Sequence, residues 1–199
     1  MMTPSHFLMT AAADALLKAR GARPHTLALL VGSVAPDLPL YVLSVAYIGW
    51  NYYAAPWLLG VPAPAEHVFG ARYDTLYFTD PLWVISHNVL HAPLTLLALA
   101  GIGAWAARSG RPWGIVALWF LAGCALHAGV DILTHRDDGP LLLFPFDWSL
   151  RFPAPISYWD RRYGAALFAP FERGLDAVIV VAFAVRWVIG RVRRRSTAP

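Results

Sequence analysis

The sequence predicts an all-α fold, a polytopic membrane helix bundle with about four spanning helices plus an N-terminal membrane-embedded helix. Three observations carry this. Hydrophobic residues make up 58% of the 199 residues and charged residues 14%, whereas an ordinary soluble domain carries roughly a quarter charged residues. Mean hydropathy is +0.49. Four long apolar segments run through the chain, at about 24–50, 83–107, 113–135 and 174–190. A crossing helix needs about 20 residues, so the first three are long enough and the last is a short span. The nine Trp and eight Tyr suit a chain that touches both membrane interfaces, and the low charge excludes a disordered tail protein.

In chain order, residues 4–20 read as a helix that would span poorly alone, because it contains Asp14 and Lys18. These lie four apart and can pair on one face turned to the bundle interior. Gly21-Ala22-Arg23-Pro24 is a tight turn, so the first two segments form an antiparallel hairpin. The whole of 1–199 reads as one membrane-embedded domain. Its loops, at about 51–81 and 136–173, are rich in Pro and aromatic residues, and a basic tail occupies 191–199. Lys18, Arg20, Arg23, Arg108, Arg111 and the arginines at 191 and 193–195 fall on one side, which the positive-inside rule makes cytoplasmic. Both loops are then outside. A net charge of +4 might suggest nucleic acid, but the densest basic run directly follows an apolar stretch, as in a membrane anchor. Membrane lipids, and other membrane protein subunits, are therefore the expected partners, and nucleic acid is not. The single Cys124 excludes an intramolecular disulfide and a Cys-rich metal site. No basic n-region precedes an apolar h-region, so no cleavable signal peptide is expected.

Ionisable residues inside membrane segments are costly and usually functional. Those embedded in apolar sequence are His6, Asp37, His87, His91, His127, Asp131 and His135. His127, Asp131 and His135 recur every four residues; each step drifts by roughly 40°, so the three share one helix face. His87 and His91 repeat the step on another segment, and ligand pairs one turn apart are how helices present metals. Counting about 1.5 Å per residue from the cytoplasmic turns puts His6 at about 22 Å, Asp37 and His127 at about 24 Å and His91 at about 25 Å. Four polar residues from four helices thus converge on one level toward the outer face. Asp131 and His87 come out roughly one turn higher, and His135 higher still. Ala35-Pro36-Asp37-Leu38-Pro39 puts two prolines in a spanning segment, each removing a donor and freeing a carbonyl. Such a break is tolerated only where the backbone faces protein or a wet cavity, and Pro93 repeats the device after His91.

Thr3-Pro4-Ser5-His6, Gly32-Ser33-Val34-Ala35-Pro36-Asp37, Ser86-His87-Asn88-Val89-Leu90-His91 and the 127–135 helix followed by Phe144-Pro145-Phe146 resemble the bacterial membrane-bound metal-dependent hydrolase family. That group includes small inner-membrane hydrolases. A branch often labelled cobalamin biosynthesis protein is similar through Arg136-Asp137-Asp138, Phe146-Asp147-Trp148 and Pro155-Ile156-Ser157-Tyr158-Trp159-Asp160. The resemblance covers most of the chain. It implies a helical bacterial inner-membrane protein, loosely similar to zinc-dependent phospholipase C, with His6, Asp37, His87, His127 and Asp131 as metal ligands. Two runs depart from the family pattern: Asn88-Val89-Leu90-His91 lacks its extra basic and Thr-His character, and Arg136-Asp137-Asp138-Gly139 stands where a second histidine would follow His135.

Histidine and carboxylate ligands without cysteine suit zinc first among divalent ions. His127 and His135 lie roughly 12 Å apart along a helix, so either two ions bind or His135 acts as a proton carrier. The expected function is a metal-dependent hydrolase that attacks an ester or phosphoester, lipid-linked, with His91 and His135 as catalytic or additional ligand groups. The competing expectation is a non-catalytic membrane subunit in which the same histidines and aspartates form a structural metal site or a polar network joining helices.

Overall fold

The structure, a computed structural model, describes residues 1–196 and is all-helical. Nine α-helices follow one another among the described residues: α1 (Thr3–Ala19), α2 (Thr26–Gly32), α3 (Leu38–Ile48), α4 (Ala55–Leu59), α5 (Ala71–Thr79), α6 (Pro81–Asn88), α7 (Pro93–Arg108), α8 (Pro112–Thr134) and α9 (Ala165–Ser196). A π-helical turn, Gly49–Ala54, joins α3 to α4. Prolines set the helix starts: Pro81, Pro93 and Pro112 stand in the first turns of α6, α7 and α8, where the missing N–H costs nothing. Asp80 caps α6 by accepting from the N–H groups of Leu82 and Trp83.

The long helix α8 is the axis of the molecule, with α2 and α7 laid along it. Glycines permit the approach. A Cβ on Gly32 would strike the carbonyl of Phe120, and one on Gly123 would strike the carbonyl of Leu29. On the other flank, a Cβ on Gly114 would meet the backbone of Ala107 and Gly103. Small residues that let helix backbones touch are how helices associate where burial from water supplies no driving force. Leu96, Leu121, Cys124 and Ala128 fill the α7–α8 seam. At the other end, Val84, Ala92, Leu141 and Phe144 pin the segment after α8 onto α6 and the start of α7.

The apolar stretch 24–50 is not one helix. Pro36 offers no N–H to Gly32, and the chain turns through Ser33–Asp37 between α2 and α3. The stretch 83–107 is likewise broken, into α6 and α7 with a bend of 53°. Among the described residues α8 is the one helix long and apolar enough to cross a membrane, and the bent α6–α7 pair makes up to two. Residues 174–190 lie inside α9, a longer helix that also carries Arg173, Asp176, Arg186 and Arg191. The region 51–81, expected as a loop, contains α4 and α5. Tyr73 of α5 packs edge to face with Tyr47 of α3 and Trp83 of α6, which also meet each other edge to face. The Asp14–Lys18 pair forms at 2.7 Å, and Thr26 across the hairpin donates to Asp14.

Candidate metal centre

Each helix break delivers one polar group to the same point. Asp37 closes the turn between α2 and α3, and His91 sits in the gap between α6 and α7. His127 and Asp131 project from one face of α8, and His6 comes from the first turns of α1. One ligand atom from each of Asp37, His91, His127 and Asp131 lies within 4.8 Å of the others. His127 Nε2 is 3.3 Å from Asp37 Oδ1 and 3.0 Å from Asp131 Oδ2; His91 Nε2 is 3.6 Å from both carboxylates.

The two imidazoles face one another with Nε2 to Nε2 at 3.0 Å. On their far sides, His91 Nδ1 donates to the carbonyl of His87 at 2.7 Å, and His127 Nδ1 donates to the carbonyl of Ser33 at 2.8 Å. A carbonyl only accepts, so both Nδ1 atoms carry their protons and each Nε2 turns inward, with a lone pair to offer when the ring is neutral. The Ser33 carbonyl is available because Asp37, at the proline break, bonds to Val34 instead. Carbonyl partners of this kind orient metal-binding histidines in general. His91, His127 and Asp131 are at most 4% exposed. Two Nε2 atoms and two carboxylates, Asp131 buried and Asp37 half-buried, gather within 4.8 Å of one another, a range that a cation can bridge. The donor set therefore fits a divalent ion.

Asp131 has a second side. Its Oδ1 is 2.9 Å from His6 Nε2, 3.3 Å from His135 Nε2 and 2.9 Å from the amino nitrogen of Met1. His6 stacks on His127 with ring centroids 3.8 Å apart. Thr3 donates to Asp37, and Thr134 Oγ1 accepts from the Met1 amino group. His87 stands outside the group of four, with its ring 4.2 Å from His91 and its Nε2 on the hydroxyl of Tyr77. His135 reaches the rim, where its Nδ1 lies 3.2 Å from Asp138. Burial pushes the Asp138 carboxyl up, but His135 beside it, together with the Trp159 indole N–H and a backbone hydrogen bond, outweighs burial and holds it below the ordinary carboxylate range.

A family model describing the YdjM inner membrane protein matches residues 1–196. The chain belongs to the YdjM inner membrane protein family. No curated protein and no solved structure matches it. Membership in YdjM makes this an inner membrane protein whose buried cluster suits a divalent metal.

All seven residues expected from sequence are thus close together, with four forming the tight group and His6, His87 and His135 around it. The Met1 amino group and Tyr77 lie in no run that the sequence marks, whereas Thr3, Thr134 and Asp138 lie inside runs that resemble the family without having been expected at the site. Glu172 is buried and accepts from the Met2 N–H, while Asp160 pairs with Arg162.

Proposed function

We propose that this YdjM-family protein is a zinc-dependent hydrolase that cleaves a lipid-linked ester or phosphoester at the outer boundary of the inner membrane. The observation behind it is the facing Nε2 pair of His91 and His127, each fixed by a backbone carbonyl, beside Asp37 and Asp131. Two imidazoles and two carboxylates without thiolate suit zinc. An ion bound there supplies Lewis acidity and a water acidic enough to attack near neutral pH. His91 and His127 would hold it through Nε2, and Asp37 and Asp131 through one oxygen each. His6 and His135 flank the other oxygen of Asp131, where the Met1 amino group now sits, and a second ion would have to displace that group; otherwise His135 Nε2 is a station for a proton.

A cavity of about 280 Å³ opens beside the group, lined by Asp37, Asp131 and His135 together with Leu40, Phe69 and Tyr73. Tyr41, Phe69 and Met2, also in the lining, are more than half exposed. An apolar rim suits an amphiphile that arrives from the bilayer. The proposed topology is multi-pass, with the C-terminal arginines in the cytoplasm.

Hydrolysis of a fluorogenic phosphodiester and a fluorogenic ester in mixed micelles, with zinc added to chelated protein, tests this. Zinc-dependent turnover that disappears in His127→Ala and Asp131→Asn is expected. Stoichiometric zinc without turnover of either probe would favour a structural site in a membrane subunit.

A further inference from the structure

Tyr77, on α5, lies between two partners. Its phenol oxygen is 2.7 Å from the main-chain carbonyl of Asp138 and 3.1 Å from Nε2 of His87. The carbonyl can only accept, so the single phenolic proton goes to Asp138 and the phenol oxygen is left to accept. His87 Nε2 must then donate. A neutral imidazole has one N–H, which leaves the His87 lone pair on Nδ1. That nitrogen has no partner among the described residues, although His87 is only 8% exposed and forms part of the cavity wall. Buried polar atoms are nearly always satisfied, so an unpaired one marks a place for a ligand or a water.

His91 and His127 are the opposite case, with Nδ1 protonated and Nε2 turned toward the cluster. The short stretch 87–91 therefore holds two imidazoles in opposite tautomers, one set by a phenol and the other by the carbonyl of His87 itself. The carbonyl that orders Tyr77 is itself anchored: Trp159 Nε1 donates to the Asp138 side chain at 2.8 Å, and Arg151 donates to the next carbonyl, that of Gly139.

We propose that Tyr77 is a positioning residue of the site, which fixes His87 as the Nε2–H tautomer and so keeps Nδ1 as a hydrogen-bond acceptor in the cavity wall. The acceptor would receive a proton donor of the bound substrate or a water; this use rests on the hydrolase reading, whereas the tautomer does not.

Nitrogen NMR on metal-free protein labelled with ¹⁵N-histidine in detergent micelles tests it, with the His87 signals assigned by their loss in His87→Gln. The wild type should show a proton on Nε2 and an unprotonated Nδ1. In Tyr77→Phe the preference should collapse, with the Nδ1–H form rising severalfold, while thermal unfolding recorded alongside confirms that the variant is folded. A proton on His87 Nδ1 in the wild type would overturn the proposal without any variant being needed, and an unchanged His87 spectrum in folded Tyr77→Phe would do the same. Zinc binding measured separately on the wild type keeps the two readings apart. The Nε2–H tautomer without zinc binding supports the role of Tyr77 and counts against the hydrolase reading alone.

Discussion

At the scale of single residues, the site is defined by where protons are held. His91 and His127 can turn lone pairs toward each other at 3.0 Å only because a carbonyl behind each ring occupies Nδ1. Asp138 shows the same logic at the rim, where His135 at 3.2 Å holds its carboxyl below the ordinary range. A group whose folded pKa is depressed stabilises the fold fully above its unfolded value, about 3.9, and loses that contribution as pH falls through the folded value. The Asp138 carboxyl resonance should accordingly titrate below an ordinary aspartate, and His135→Ala should move its midpoint upward; a midpoint unmoved by that substitution would separate the two residues. The clustered histidines and aspartates His6, Asp37, His91, His127 and Asp131 were legible in the sequence because an ionisable group in apolar sequence is conspicuous. Tyr77 and Ser33 were not, since a phenol among many aromatics and a main-chain carbonyl leave no pattern.

At the scale of elements, glycines set how closely α2 approaches α8, and that approach brings the Ser33 carbonyl to His127. A side chain on Gly123 would collide with the carbonyl of Leu29 rather than with a movable side chain. Overpacking of this kind costs about 1–3 kcal/mol or more. Gly123→Val should therefore lower the thermal midpoint and weaken metal retention together, whereas Gly129→Ala on the same helix, with nothing near its added Cβ, should change neither. Equal behaviour of the two variants in thermal melts would refute the packing account. The proline breaks were visible at Pro36 and Pro93, and the structure breaks at both. What hydropathy could not show is that a break ends a span: 24–50 is apolar on average, yet a seven-residue and an eleven-residue helix result. The helices within 51–81 were hidden because prolines and aromatics there resemble loop composition.

At the scale of the whole molecule, the shortage of charge marks a membrane protein, and membership of the YdjM inner membrane protein family agrees. The depth count brought His6, Asp37, His91 and His127 to one level, and the structure gathers them around Asp131. The number of crossings is less legible, because broken helices and the charged α9 escape a test of length and hydropathy. Reporter fusions at Pro199 and within 136–160 should place the tail in the cytoplasm and the loop outside; a periplasmic tail would reverse the proposed orientation. The cluster of Asp37, His91, His127 and Asp131 is tested for metal by the metal content of detergent-purified protein. About one or two zinc ions per chain are expected, falling below about a tenth in His127→Ala and Asp131→Ala. Wild-type protein with less than about a tenth of an ion per chain, unchanged by those substitutions, would mean that the cluster holds no metal.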